Sequence, residues 1–130
     1  MIGQNILHYK ILDKLGEGGM GIVYKAHDTK LDRVVALKFL PHYVASNDTE
    51  RARFLQEAKA AATLNHPNVC VIYDIQESDG QQFIVMEYVD GMTGNQKFTE
   101  SKLKIAEAIG YAIQIGEALQ EAHAKGIVHR

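Results

Sequence analysis

A single cysteine among 130 residues excludes a disulfide within the chain. Cys-x-x-Cys pairs are missing and the six histidines are scattered without ligand spacing, so no zinc-type centre is expected. Cys70 lies in the run Val69-Cys70-Val71-Ile72-Tyr73, which makes it a small core residue in expectation rather than a reactive thiol. Charge of either sign is scarce in excess: 14 Lys and Arg face 16 Asp and Glu, a net charge of −2. Such a balance gives no field to draw the chain onto nucleic acid or an anionic membrane. Met1-Ile2-Gly3-Gln4-Asn5 has neither the basic nor the apolar region of a signal peptide. No uninterrupted apolar run approaches the roughly 18 residues of a membrane span. A reducing, cytoplasmic setting is the expectation, with no nucleic-acid partner and no membrane contact in this stretch. Internal repeats and low-complexity segments are also absent.

What is present is ordinary globular material. Apolar residues make up 46% and charged residues 23%, in a chain long enough for one compact core. Five short β-rich runs follow one another: Tyr9 to Leu15, Ile22 to Ala26, Arg33 to Leu40, Val69 to Ile75 and Phe83 to Val89. Asp28-Thr29-Lys30-Leu31-Asp32 and Glu77-Ser78-Asp79-Gly80 read as turns. One helix interrupts the strands, capped by Asn47 with Glu50 three residues on and stopped by Asn65 and Pro67. A second covers roughly Ile105 to Lys125 and closes at Gly126. Between Gly91 and Ser101 the composition turns polar and glycine-rich, as a linker does. The pattern predicts an α+β fold with an antiparallel sheet.

Gly16-Glu17-Gly18-Gly19-Met20-Gly21 fits Gly-x-Gly-x-x-Gly. A dinucleotide fingerprint needs a helix to start at these glycines, and Ile22-Val23-Tyr24-Lys25-Ala26 continues as a strand instead. A P-loop needs Gly-Lys-Ser/Thr after the last glycine, and Ile22-Val23 stands there. Two readings remain open on these residues alone: a glycine-rich hairpin without a ligand, or a hairpin folded over a triphosphate. In the second, missing Cβ atoms let backbone N–H groups approach the phosphates. Ala36 and Lys38 share one face of the third strand, so an alanine leaves room for a ring two residues from a cation. A solvated lysine is the bland alternative, weakened by the apolar neighbours Val34 to Leu40. Glu57 falls three residues after Phe54 and four before Ala61, which places it on the helix's apolar stripe in expectation. A carboxylate there is costly unless paired.

Gly16 to Gly21 closed by Val23, with Val35-Ala36-Leu37-Lys38 on the third strand, resembles the protein kinase family. The resemblance covers essentially the whole chain in the family's order and spacing. With Ala58-Lys59-Ala60-Ala61-Ala62 it looks most like bacterial serine/threonine kinases. It implies a kinase-like N-terminal lobe of five antiparallel strands and one helix over residues 1–90. A linker and the first helices of a C-terminal lobe would follow over 91–130. It implies an ATP site formed by Leu15, Gly16, Glu17, Gly18, Gly19, Met20, Gly21, Ile22 and Val23 of the loop, with Ala36, Lys38 and Met86. Backbone groups of Glu87 and Val89 would meet the adenine edge. Lys38 would hold the phosphates and Glu57 would orient it. By pattern alone Phe83 to Val89 is equally a core strand, and His66-Pro67-Asn68 simply a helix stop. Gly94 departs from the family, which usually has leucine there, and so bears on where the next helix starts.

The implied activity is transfer of the ATP γ-phosphate to protein Ser/Thr. In the family the closing run Gly126-Ile127-Val128-His129-Arg130 continues to the catalytic aspartate and the Mg²⁺ ligands. The 130 residues alone are therefore expected to be inactive, with Mg²⁺ held elsewhere. A non-catalytic nucleotide-binding or scaffold module is the alternative. Ile105, Ile109, Ala112, Ile113 and Leu119 form an apolar stripe, and self-association through helix 105–125 is expected.

Overall fold

The β-branched and aromatic runs of the first ninety residues pair into one sheet, as their propensities favour. The structure is a computed structural model and describes residues 1–129; Arg130, which ends the His-Arg run, lies outside them. In chain order the strands are β1 (Asn5–Ile6), β2 (Tyr9–Gly18), β3 (Gly21–Asp28), β4 (Arg33–Phe39), β5 (Ile72–Ser78) and β6 (Gln81–Glu87). The helices are α1 (His42–Ala45), α2 (Asp48–Ala61), α3 (Gly94–Glu100) and α4 (Ile105–Ala124). Every strand pair is antiparallel, in the order β1-β2-β3-β4-β6-β5. Two compact units result. One comprises residues 1–63 with 71–88, and the other residues 64–70 with 89–130.

Within the first unit, alternate residues of each strand point to opposite faces. Tyr9, Ile11, Tyr24, Ala26, Val35, Leu37, Phe39, Phe83 and Val85 form the buried core on one face. Tyr9 on β2 and Phe83 on β6 bring their rings to 6.1 Å, edge to face. Those strands are three steps apart in the sheet, which on a flat sheet is about 14 Å. The sheet therefore rolls up around its own aromatic core. Phe39 stacks on Phe83 at 5.0 Å and meets Tyr24 at 5.7 Å. Removing the side chain of one such buried aromatic or leucine costs about 2–5 kcal/mol. Asp28 is buried at the β3–β4 turn because its carboxylate accepts the N–H groups of Lys30 and Leu31, at 2.9 and 3.0 Å.

Several sequence expectations need correction. A sixth strand, β1, pairs Asn5 with Lys10 and Ile6 with Tyr9, and two residues are too few to show a period. β5 starts at Ile72, where its pairing with Met86 begins, rather than at Val69. The Val69 N–H instead closes a turn onto the His66 carbonyl at 3.0 Å, and Cys70 ahead of the ladder is exposed, not a core residue. Pro41 ends β4 and starts the four-residue α1. Glu57 also lies exposed. The buried side of α2 runs through Phe54, Leu55 and Ala58, and Glu57 sits about 105° round the helix from the middle of that side at 100° per residue.

The caps follow the sequence closely. Asn47 Oδ1 accepts the N–H groups of Thr49 and Glu50 at 3.0 and 3.1 Å. Inside the expected linker, Thr93 and Gln96 form a reciprocal capping box and start α3, so Gly94 at its first position does not prevent the helix. Beyond α4, Gly126 takes φ +75°, its N–H reaching the His123 carbonyl while Ile127 N–H reaches Ala122. That is a Schellman stop, which favours glycine.

Two outcomes are expected. Burial and the negative charges of Asp28 and Asp74 raise the Tyr9 pKa, partly opposed by Arg33. A raised acid pKa stabilises the fold fully below the unfolded value of about 10, and that stability is lost as pH rises through the folded value. Tyr9→Phe should therefore flatten the loss of chemical stability above about pH 10. An unchanged alkaline limb would exclude Tyr9 as its cause. In the second unit Ile105, Ile109 and Ile113 are exposed along α4, each forgoing roughly 1.5–3 kcal/mol of burial. The 130-residue chain should self-associate through this helix, and removing the residues from Ile105 onward should raise solubility. A clean monomer in sedimentation at high concentration would contradict this.

Candidate functional site

The face of the sheet opposite the aromatic core is set by the same two-residue period. β3 and β4 pair Val23 with Lys38, and β4 and β6 pair Ala36 with Met86. Residues directly opposite on antiparallel strands share a face. Val23, Ala36, Lys38 and Met86 therefore lie together, and Gly16 faces Val23 across the β2–β3 ladder. Ala36 is buried and Val23, Lys38 and Met86 are half-buried. The face thus combines apolar walls, an opening beside a small residue and one cation. Ile84 and Lys25 belong to it too, opposite Lys38 and Ala36. Lys25 Nζ stands 4.8 Å from the Tyr88 ring centroid. Counting by two from Met86 and Val23 would have found both.

The glycine loop is the hairpin between β2 and β3, closed by the Gly18–Gly21 pair. Leu15, Gly16, Glu17, Gly18, Gly19 and Met20 are exposed, and Ile22 is half-buried against the core. Lys14 Nζ pairs with Glu17, and this hydrogen bond raises the Lys14 pKa. The glycines do two different jobs. A Cβ on Gly16, Gly18 or Gly19 would meet nothing within 4 Å. A Cβ on Gly21 would lie 2.1 Å from the Phe39 carbonyl oxygen, and Gly21 has φ +103°. Gly21 is thus required by the fold, while the other three leave open space above the backbone.

Lys38 and Glu57 are not brought together: no ion pair within 4 Å joins them, and Glu57 lies on the exposed side of α2. At the end of β6, the Glu87 N–H donates to the Val71 carbonyl at 2.8 Å, and Glu87 Oε1 accepts the Val71 N–H at 3.1 Å. The Glu87 N–H is therefore a structural donor, not one offered to a base. Val89 is exposed and belongs to the second unit. Among the described residues, no three or more His, Cys, Asp or Glu side chains cluster as metal ligands, and no helix is long and apolar enough to cross a membrane.

The family model for the protein kinase domain matches residues 9–130. The chain belongs to the protein kinase family. This kinase sequence is 45% identical over 124 residues to a probable serine/threonine-protein kinase, PknB, of Lactococcus lactis, covering 94% of the chain and 20% of that protein. It is 44% identical over 132 residues to the serine/threonine-protein kinase PrkC of Bacillus subtilis, again covering 20% of the relative. The chain thus spans about a fifth of the length of these curated relatives. The crystal structure of the Mycobacterium tuberculosis PknI kinase domain matches all of this chain and 54% of its own, with TM-score 0.85 and 33% identity. The sheet and helices accordingly have the kinase N-lobe architecture.

Alanine at the glycines should separate the two jobs. Gly21→Ala is expected to lower stability by about 1–3 kcal/mol, because its backbone conformation and the Phe39 carbonyl must both yield. Gly16→Ala and Gly18→Ala should stay within about 0.5 kcal/mol of the parent in chemical denaturation. Equal losses at all three would show that the loop is packed throughout.

Proposed function

We propose that the chain is the ATP-binding portion of a serine/threonine protein kinase, which transfers the ATP γ-phosphate to a protein hydroxyl. The observation that carries the reading is the register joining Val23, Ala36, Lys38 and Met86 on one face, beside a hairpin whose first glycines leave open space. An adenine ring fits between Val23 and Met86 where Ala36 has no bulk, and Lys38 supplies positive charge to the α- and β-phosphates. Gly16, Gly18 and Gly19 let the loop backbone come within hydrogen-bond reach of phosphate oxygens. Backbone groups of Glu87 and Val89 would meet the base edge, the Glu87 N–H itself being engaged by the Val71 carbonyl.

Phosphoryl transfer is mostly positioning and charge stabilisation. Lys38 and the loop hold the phosphates. Glu57 orients Lys38 only once α2 moves, because Glu57 lies on the exposed side of α2. Mg²⁺, when bound, neutralises charge developing on the phosphates, and its ligands are expected outside these 130 residues. A non-catalytic nucleotide-binding or scaffold module is the second reading, favoured by the place of Glu57 on the exposed side of α2.

Titration of the 130-residue chain with ATP should give a dissociation constant in the millimolar range, about 4 kcal/mol of binding. Lys38→Met should weaken it by about tenfold, or 1.4 kcal/mol, and no phosphate should reach a protein acceptor. Micromolar ATP binding indifferent to Lys38→Met would remove the assignment of this face. Labelled γ-phosphate transfer by pure chain, lost in Lys38→Met, would overturn the expected inactivity.

A further inference from the structure

One hydrogen bond ties the loop tip to a different element. The Tyr43 hydroxyl in α1 donates to the Gly19 carbonyl at 2.9 Å. The ring itself is 65% exposed, so core packing does not explain its placement. Its neighbour Val44 is buried and fixes α1 against the first unit. On the same side, Gly21 lies so close to the Phe39 carbonyl and Pro41 Cδ that only a glycine fits there. The exit of the loop and its tip are thus both referenced to the segment that leaves β4. Two residues beyond Pro41, a tyrosine reaches back to the tip.

The chemistry of that contact follows from the peptide group. No cis peptide is present, so the Gly19 C=O and the Met20 N–H lie in one plane and point in opposite directions. A donor that fixes the carbonyl also fixes the N–H on the other edge. Gly19, with no Cβ, leaves its own ψ free to turn this peptide, and Met20 on the other side sits at the exposed tip of the loop. Tyr43 supplies what the flanking residues cannot.

We propose that Tyr43 is a positioning residue of the nucleotide site: by holding the Gly19 carbonyl it aims the Met20 N–H for donation to a phosphate of the bound nucleotide. This rests on the ATP-binding reading of the loop and deepens it. It assigns the α1 segment a part in recognising phosphate rather than base. Losing the hydroxyl frees the peptide to flip, so phosphate recognition weakens while the adenine-lining residues Val23, Ala36 and Met86 stay in place.

The test compares Tyr43→Phe with the parent 130-residue chain in NMR shift titrations against ATP and against adenosine, with amide hydrogen exchange at Met20 followed in nucleotide-free protein. The expected result is a roughly three- to tenfold loss of ATP affinity, the scale of one hydrogen bond. Adenosine affinity should be unchanged and Met20 exchange faster. Tyr43→Ala, which also removes the ring, should likewise weaken ATP binding and speed Met20 exchange while leaving adenosine affinity unchanged. If the parent prefers ATP over adenosine and Tyr43→Phe retains that preference in full, the positioning role is wrong while the nucleotide reading stands. Equal weakening of both ligands would make Tyr43 merely structural and overturn the proposal. Binding of neither ligand by the parent chain would sink the nucleotide reading itself, and this proposal with it.

Discussion

The two-residue period of β4 is the constraint on which the rest depends. Val35, Leu37 and Phe39 point into the aromatic core, so Ala36 and Lys38 must point out of it. A one-residue slip in pairing would bury the lysine and expose the leucine, at a cost of several kcal/mol from the buried charge alone. Register is therefore held by the core, and the core thereby holds the candidate site. Ladder partners on β3 and β6 carry the arrangement sideways to Val23 and Met86. The core and the candidate site use opposite faces of the same seven residues.

The glycine hairpin shows how a mobile element is attached to such a frame. Its exit is locked where Gly21 meets the Phe39 carbonyl, while Gly16, Gly18 and Gly19 leave open space where a Cβ would stand. Open backbone of that kind is cheap to move. The Tyr43 hydroxyl adds a single restraint at the tip, and the energy of one hydrogen bond is small enough to be made and broken. α2 presents a comparable balance, with Phe54, Leu55 and Ala58 turned inward and Glu57 left outside.

Much of this was legible in the residues. β4 announces itself by a run of apolar residues ended by Pro41, and the hairpin by its glycines flanked by β-formers. Asn47 and Gly126 marked helix ends through backbone hydrogen bonding that only certain side chains or φ values satisfy. β1 and α1 escaped because two and four residues are shorter than the periods that reveal them. α3 carried a readable signal in Thr93 and Gln96, hidden by the glycines beside it. Glu57 and Cys70 were misplaced for different reasons. A spacing of three residues leaves Glu57 about 60° from Phe54, on the side away from Leu55 and Ala58, and the apolar neighbours of Cys70 do not bury it because the strand starts two residues later. The Gly19–Tyr43 bond spans 24 positions and no local pattern could show it.

The central claim is that β4 divides core from nucleotide face. Methyl-resolved NMR of the chain under ATP titration tests it most directly. Shifts should concentrate on the methyl groups of Val23, Ala36 and Met86, while Val35, Leu37 and Val85 remain still. Perturbation centred on the second set, or spread evenly over both, would contradict the account.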